Sequence, residues 1–266
     1  MSILFKLSFF LTFLGLLLSI KGVGQKSTNQ LPKTATLRSS VRSSFKANEF
    51  NLPVLNNEDE IVEARKIKEE QCSTCRKDYY GRFLDVNLDL KSQGLSYELE
   101  DGTIWLLRIS SLSALGLQFY FKKFVIPPGS YLHIYNDNQT QLLGAFTIDN
   151  LNPDERFATS IIHGREAVVE YFEPKRVQFS GRVFLEGVGH VFEDMRAGGS
   201  TIQDPGSCVV DVNCQEGNAL NAEKKSIAWI STLDSNNKRL AKCTGFLINS
   251  NQSSNPPSFL MTAGHC

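Results

Sequence analysis

The chain has 266 residues, with 28 Lys+Arg against 28 Asp+Glu, 41% apolar residues, 10% aromatics and six cysteines. This is globular composition, sufficient for one or two domains of on the order of 100 to 200 residues each. Zero formal net charge and the lack of a strongly basic stretch remove the electrostatic footprint that nucleic acid or an anionic surface requires, so no nucleic-acid partner is expected.

In chain order, Lys6 precedes an apolar run from Leu7 to Ile20, shorter than the roughly 20 residues of a membrane span and placed where a signal-peptide core belongs. Gly22-Val23-Gly24 follows, with small residues at the two positions a signal peptidase inspects. Residues 1–24 are therefore expected to be a signal peptide, with Gln25 as the new N-terminus and the protein secreted, without a membrane partner after cleavage. A retained anchor flanked by Lys21 is the competing reading. Loss of Lys6 and Lys21 leaves 26 basic residues against 28 acidic ones in the exported chain. Export puts Cys72, Cys75, Cys208, Cys214, Cys243 and Cys266 where disulfides persist, and the sequence does not choose among all their pairings.

Residues 25–78 are expected to form an extended or disordered leader, rich in Ser, Thr, Asn and Lys up to Leu55, followed by a short helix. Asn57 with Glu60 three places on reads as a helix start, and Ile61, Val62, Ala64 and Ile67 fall on one side of a helix over Glu58 to Glu70. Cys72-Ser73-Thr74-Cys75 has redox or zinc-ligand spacing, but no second pair completes a four-ligand zinc site and no thioredoxin-like βαβ pattern surrounds it, which favours a local disulfide or a pair without an assigned role.

From Arg82 the period changes to two, since Leu84, Val86, Leu88 and Leu90 alternate with polar residues. Strand-like runs follow at Thr103 to Ile109, Leu115 to Ile126, Ser130 to Tyr135, Leu142 to Ile148, Phe157 to Ile162, Ala167 to Phe172 and Val177 to Leu185. The breaks carry turn chemistry, as in Pro127-Pro128-Gly129, Asn136-Asp137-Asn138 and Asn152-Pro153-Asp154. Short strands at regular spacing predict an all-β fold, an antiparallel β-sandwich over residues 79–194. His133, His163 and His190 lie within it without metal-ligand spacing and read as structural. Residues 195–204 contain Arg196-Ala197-Gly198-Gly199-Ser200 and mark the domain boundary. Three further strands, Ser226 to Leu233, Lys242 to Asn249 and Ser258 to Ala263, belong to the segment 205–266.

That segment carries the chemistry. Phe259 to Ala263 is an apolar strand that delivers His265 and Cys266, with Ala263 and Gly264 as small residues that let neighbours approach. Lys242 to Ile248 is a second strand with Cys243 at its start. A Cys243–Cys266 bridge, with Cα atoms roughly 4.4 to 6.8 Å apart, would clamp the backbone of His265.

Met261-Thr262-Ala263-Gly264-His265-Cys266 resembles the histidine motif of chymotrypsin-like serine endopeptidases, and Cys243-Thr244-Gly245-Phe246-Leu247-Ile248 resembles the strand that precedes it. Gly206-Ser207-Cys208 through Asp211, Cys214 and Glu216-Gly217 is similar to the start of the mature bacterial lysyl endopeptidases, and the sandwich resembles the pro-region upstream of such enzymes. The resemblance implies an incomplete chymotrypsin-like β-barrel over residues 205–266, with His265 as catalytic general base. It implies protein or peptide substrates, no metal and no other cofactor, and a pro-region that contacts its own protease domain. The orienting aspartate and the serine follow the histidine in that family. No Gly-Asp-Ser-Gly-Gly stretch occurs in this sequence, so the 266 residues alone should be inactive. The competing reading, from a different class, is a secreted non-enzymatic β-sandwich binding or adhesion protein with a vestigial protease segment.

Overall fold

The computed structural model describes residues 26–37, 45–71, 77–193, 215–236, 238–248, 259–264 and 266. The signal-peptide expectation for residues 1–24, the Cys72–Cys75 motif, Cys208, Cys214 and the Gly-rich boundary all lie outside the described residues. Among those described, no helix is long and apolar enough to cross a membrane.

The fold is all-β, as expected from the alternating pattern. Its strands are β1 (Asn48–Asn51), β2 (Asp78–Asp89), β3 (Leu95–Glu98), β4 (Gly102–Ser110), β5 (Gly116–Val125), β6 (Tyr131–Tyr135), β7 (Leu142–Phe146), β8 (Phe157–Ala158), β9 (Ile162–His163), β10 (Glu166–Pro174), β11 (Arg182–Val191), β12 (Ile227–Asp234), β13 (Arg239–Ile248) and β14 (Phe259–Thr262). Among the described residues they form two sheets and no closed barrel. The first sheet has the order β1-β4-β10-β6-β7, with β3 also on β4; the second has β12-β13-β2-β11-β5-β8, with β14 on β13 and β9 on β5.

Alternation explains the packing. Leu84, Val86 and Leu88 of β2 turn inward towards Leu107 and Ile109 of β4, Phe119 and Phe121 of β5, Val169 of β10 and Leu185 of β11. Phe119, Ile134 and Val188 are fully buried there, and each large apolar side chain removed from water contributes about 1.5 to 3 kcal/mol. Predicted turns appear where expected: Ser130 N donates to Pro127 O at 3.0 Å with Gly129 at φ +85°, the left-handed position a glycine fills at least cost.

Several boundaries differ from the sequence reading. The run Phe157 to Ile162 is split into β8 and β9, and the last sandwich strand begins at Arg182 rather than Val177, running on to Val191. β1 and β3 are additional strands on one edge of β4. The helix, α2 (Asn57–Glu70), is present, but its cap is Asn56, whose side chain accepts from Glu58 N. Glu58, Asp59 and Glu60 occupy its first turn, where carboxylates complement the helix dipole.

The leader is more structured than its composition suggests. Residues 26–37, including one helical turn, α1 (Lys33–Thr36), lie over the outer face of the first sheet. Glu170 of β10 is fully buried and accepts from Thr34 Oγ1 at 2.6 Å and Tyr135 OH at 2.8 Å. His133, its cross-strand partner, contacts Gln30 O through Nε2 at 2.9 Å. Phe45, Ala47, Tyr97 and Leu99 cover the same face against Ile104, Leu106, Tyr131 and Phe172. That cover explains why β10 is buried along almost its whole length.

This strap predicts a pH response. Burial lowers the His133 pKa from 6.5 to about 4, and Nδ1 is buried without a hydrogen-bond partner. A depressed imidazole pKa means stability that is fully present above the ordinary value and is lost as pH falls through the folded one. Burial raises the pKa of Glu170, which acts in the opposite sense. His133→Gln retains a donor for Gln30 O and removes the titration. Urea midpoints should therefore fall more for the wild type than for this variant between about pH 6.5 and 4; parallel curves would contradict the assignment.

Candidate active site

The site is framed by β13 and β14. These strands pair antiparallel at Gly245↔Thr262, Phe246↔Met261, Leu247↔Leu260 and Ile248↔Phe259. Thr262 Oγ1 also donates to Thr244 O at 2.9 Å. Beyond β14 the chain turns, with Cys266 N donating to Ala263 O at 3.0 Å. Cys243 and Cys266 are disulfide-bonded with Cα atoms 5.9 Å apart, within the range expected from the sequence. His265 itself lies outside the described residues; its neighbours Gly264 and Cys266 are described.

Glycine has two different roles here. A Cβ at Gly245 would meet Ile230 Cδ1 and Met261 O, each at 2.9 Å, so β13 needs that position bare to pair closely on both sides. A Cβ at Gly264 would meet nothing within 4 Å. The expectation that Gly264 is small to admit a neighbour is thus corrected; the close approach is at Gly245.

Both faces of this ladder carry exposed apolar side chains. Ile227, Trp229, Phe246 and Met261 are 56%, 46%, 44% and 50% exposed, and Leu247 and Leu260 on the opposite face are 49% and 50% exposed. Among the described residues Trp229 meets Tyr80 edge-on, with ring centroids 5.2 Å apart, while the other five side chains stay about half open to solvent.

Among the described residues β14 is held by four cross-strand pairs, the Thr262 Oγ1 bond to Thr244 O and one covalent tie. For cysteines 23 apart the tie stabilises by about 3 kcal/mol. Cys243→Ser with Cys266→Ser should raise amide exchange across Phe259–Thr262 roughly a hundredfold, while β5 and β11 stay protected. Unchanged exchange in β14, measured by mass spectrometry, would show that the strand does not rely on the disulfide.

Elsewhere the structure brings together a serine, a histidine and an asparagine. Ser111 Oγ is 2.6 Å from His190 Nδ1, and His190 Nε2 is 2.8 Å from Asn57 Oδ1. Asn57 Nδ2 donates to Ser113 O at 2.8 Å, leaving Oδ1 as acceptor; Nε2 is then the protonated nitrogen, and Nδ1 accepts from Ser111. Burial lowers the His190 pKa. Ser111 is 1% exposed and His190 is fully buried, so no substrate carbonyl reaches that hydroxyl. The trio fixes α2 to the ends of β4 and β11. Here Asn57 departs from the sequence reading: it holds His190 rather than capping the helix.

Among the described residues no group of three or more His, Cys, Asp or Glu is placed to hold a metal ion. His163 is half-buried at the edge of β5, where its backbone N donates to Gln141 Oε1 at 2.9 Å.

A family model described as lysyl endopeptidase, C-terminal domain, matches residues 202–266. This supports a lysyl endopeptidase-like protease relationship for the stretch containing β12, β13, β14 and His265. No solved structure matches the chain.

Proposed function

We propose that the chain is the N-terminal portion of a secreted serine endopeptidase precursor, with a signal peptide (1–24), a leader (25–78), a pro-region sandwich (79–194), a Gly-rich connection (195–204) and the first strands of a trypsin-like barrel (205–266). The observation that carries the reading is the protease-family match over residues 202–266, within which a disulfide ties the residue beside His265 to β13. In this reading His265 is the general base that takes a proton from a serine and returns it to the leaving amine. The serine and the aspartate come from downstream sequence, and no metal or other cofactor takes part. The exposed side chains of Ile227, Phe246 and Met261 are the surface that further barrel strands would cover. Substrates are proteins or peptides; cleavage after Lys is suggested only by the name of the matched family.

The test is hydrolysis of lysyl esters and amides. The 266 residues alone should give none above background, and the chain extended through in-frame downstream sequence should give hydrolysis blocked by a serine-directed inhibitor. Inhibitor-sensitive activity in the 266 residues alone would refute the missing nucleophile. The rival reading, a secreted non-enzymatic β-sandwich binding or adhesion protein, is favoured by one observation: β13 continues the second sheet through β2 and so has a structural role of its own. A stop codon after Cys266 would support it.

A further inference from the structure

The junction between β2 and β13 is built like a recognition surface. The ladder runs Arg239↔Arg82, Leu240↔Gly81, Ala241↔Tyr79 and Lys242↔Asp78, with Phe83 N donating to Lys238 O at 2.8 Å. Leu240 is fully buried with Tyr80, Phe83 and Val191. It enters a slot floored by two glycines, since a Cβ at Gly81 or Gly189 would stand 2.7 or 2.4 Å from Leu240 Cδ1. Ala241 packs with Ala64 of α2, Tyr79 and Phe192.

Charge is matched across the same seam. Lys238, Arg239 and Lys242 of the C-terminal segment pair with Asp85, Glu60 and Glu193; the Arg239–Glu60 contact is 2.8 Å and the Lys242–Glu193 contact 2.7 Å. Lys77 reaches Asp234 at 3.7 Å, and Tyr79 OH donates to the same carboxylate at 2.6 Å. Strand addition supplies main-chain affinity and pockets for alternate side chains supply specificity, while paired charges fix register.

We propose that the β2 edge, roofed by α2, is a docking surface for the β12–β13 hairpin, and that it holds the C-terminal segment non-covalently after the backbone between Glu193 and Gln215 is cut. The partner it fits is a basic hairpin presenting a leucine knob flanked by Arg239 and Lys242. This deepens, and for its biological sense rests on, the reading of the sandwich as a pro-region: the cut precursor would be a complex rather than two free proteins. Association is measured without any hydrolysis assay, so failure here and failure of the protease reading are distinguishable.

The experiment uses the exported chain with a specific protease site replacing residues 197–201. Cys72→Ser and Cys75→Ser remove the cysteines before the cut, so no disulfide can cross it. After complete cleavage, the two pieces should co-elute at low ionic strength at the volume of the uncut chain. Lys242→Glu should weaken the association about tenfold in a dilution series, and Glu193→Lys added to it should restore most of the loss. The exposed pair Lys238 and Asp85, reversed together, gives a second swap with little risk to folding. Separation of the pieces at low ionic strength overturns the proposal, and a double reversal no tighter than Lys242→Glu overturns the role of the charges.

Discussion

Arg239→Ala should lower the stability of the chain by about 4 kcal/mol, and Arg239→Met, which loses the charge but keeps the aliphatic packing, by about 3 kcal/mol. The Arg239 side chain is 1% exposed and its partner Glu60 is 16% exposed. Breaking a buried pair by removing one member leaves a charge without compensation, typically a loss of about 3 to 5 kcal/mol; partial hydration of Glu60 brings the figure to the lower end. Arg239 also stands directly opposite Arg82 on β2, a like-charged cross-strand pair that is unfavourable by itself and makes Glu60 more necessary. Methionine retains the aliphatic packing and removes Nε, which is buried without a hydrogen-bond partner. Urea denaturation of the three proteins measures the difference. A methionine variant as unstable as the alanine one would place the whole effect in the lost ion pair rather than in volume, and one as stable as the wild type would show that the pair contributes nothing net.

The same residue shows where the sequence was legible and where it was not. Strand positions in the sandwich could be read because Leu84, Val86 and Leu88 alternate, and β12, β13 and β14 because each is an apolar run beside turn-forming residues. The first residues of β13 have no such signal, since arginines are rarely buried and Arg239 is buried because α2, far away in sequence, delivers Glu60 to it. Ala167 to Phe172 carried one overlooked signal. A nearly unbroken apolar run is a strand covered on both faces, and the second cover had to come from somewhere. It comes from residues 26–37 and 45–47, whose polar composition reads as disorder when taken alone, and whose anchoring through Thr34 and Gln30 to Glu170 and His133 is a matter of three-dimensional register. The Cys243–Cys266 pairing was legible because its two cysteines flank neighbouring strands. The Ser111–His190–Asn57 trio had no local signal, since its members are dispersed and none carries a motif.

The largest expected effect belongs to His265. On the proposed protease reading, His265→Ala in the chain carried through in-frame downstream sequence should reduce kcat by about 10⁶, because the members of a serine-protease triad act as a unit and loss of the histidine would remove the base that activates the serine. What remains should be roughly 10³ to 10⁴ above the uncatalysed reaction, contributed by oxyanion stabilisation and substrate binding. The frame should survive the change: the Cys243–Cys266 tie, the Gly245↔Thr262 pair and the Cys266 N to Ala263 O hydrogen bond use no imidazole atom. The variant should therefore fold, pass through secretion like the parent and bind substrate with little change in KM, so that the loss falls on kcat. Single-turnover measurements with a lysyl ester separate these quantities. A variant that folds normally and loses less than about tenfold in kcat would remove His265 from the chemistry and leave the C-terminal strands a structural role on the edge of the sandwich.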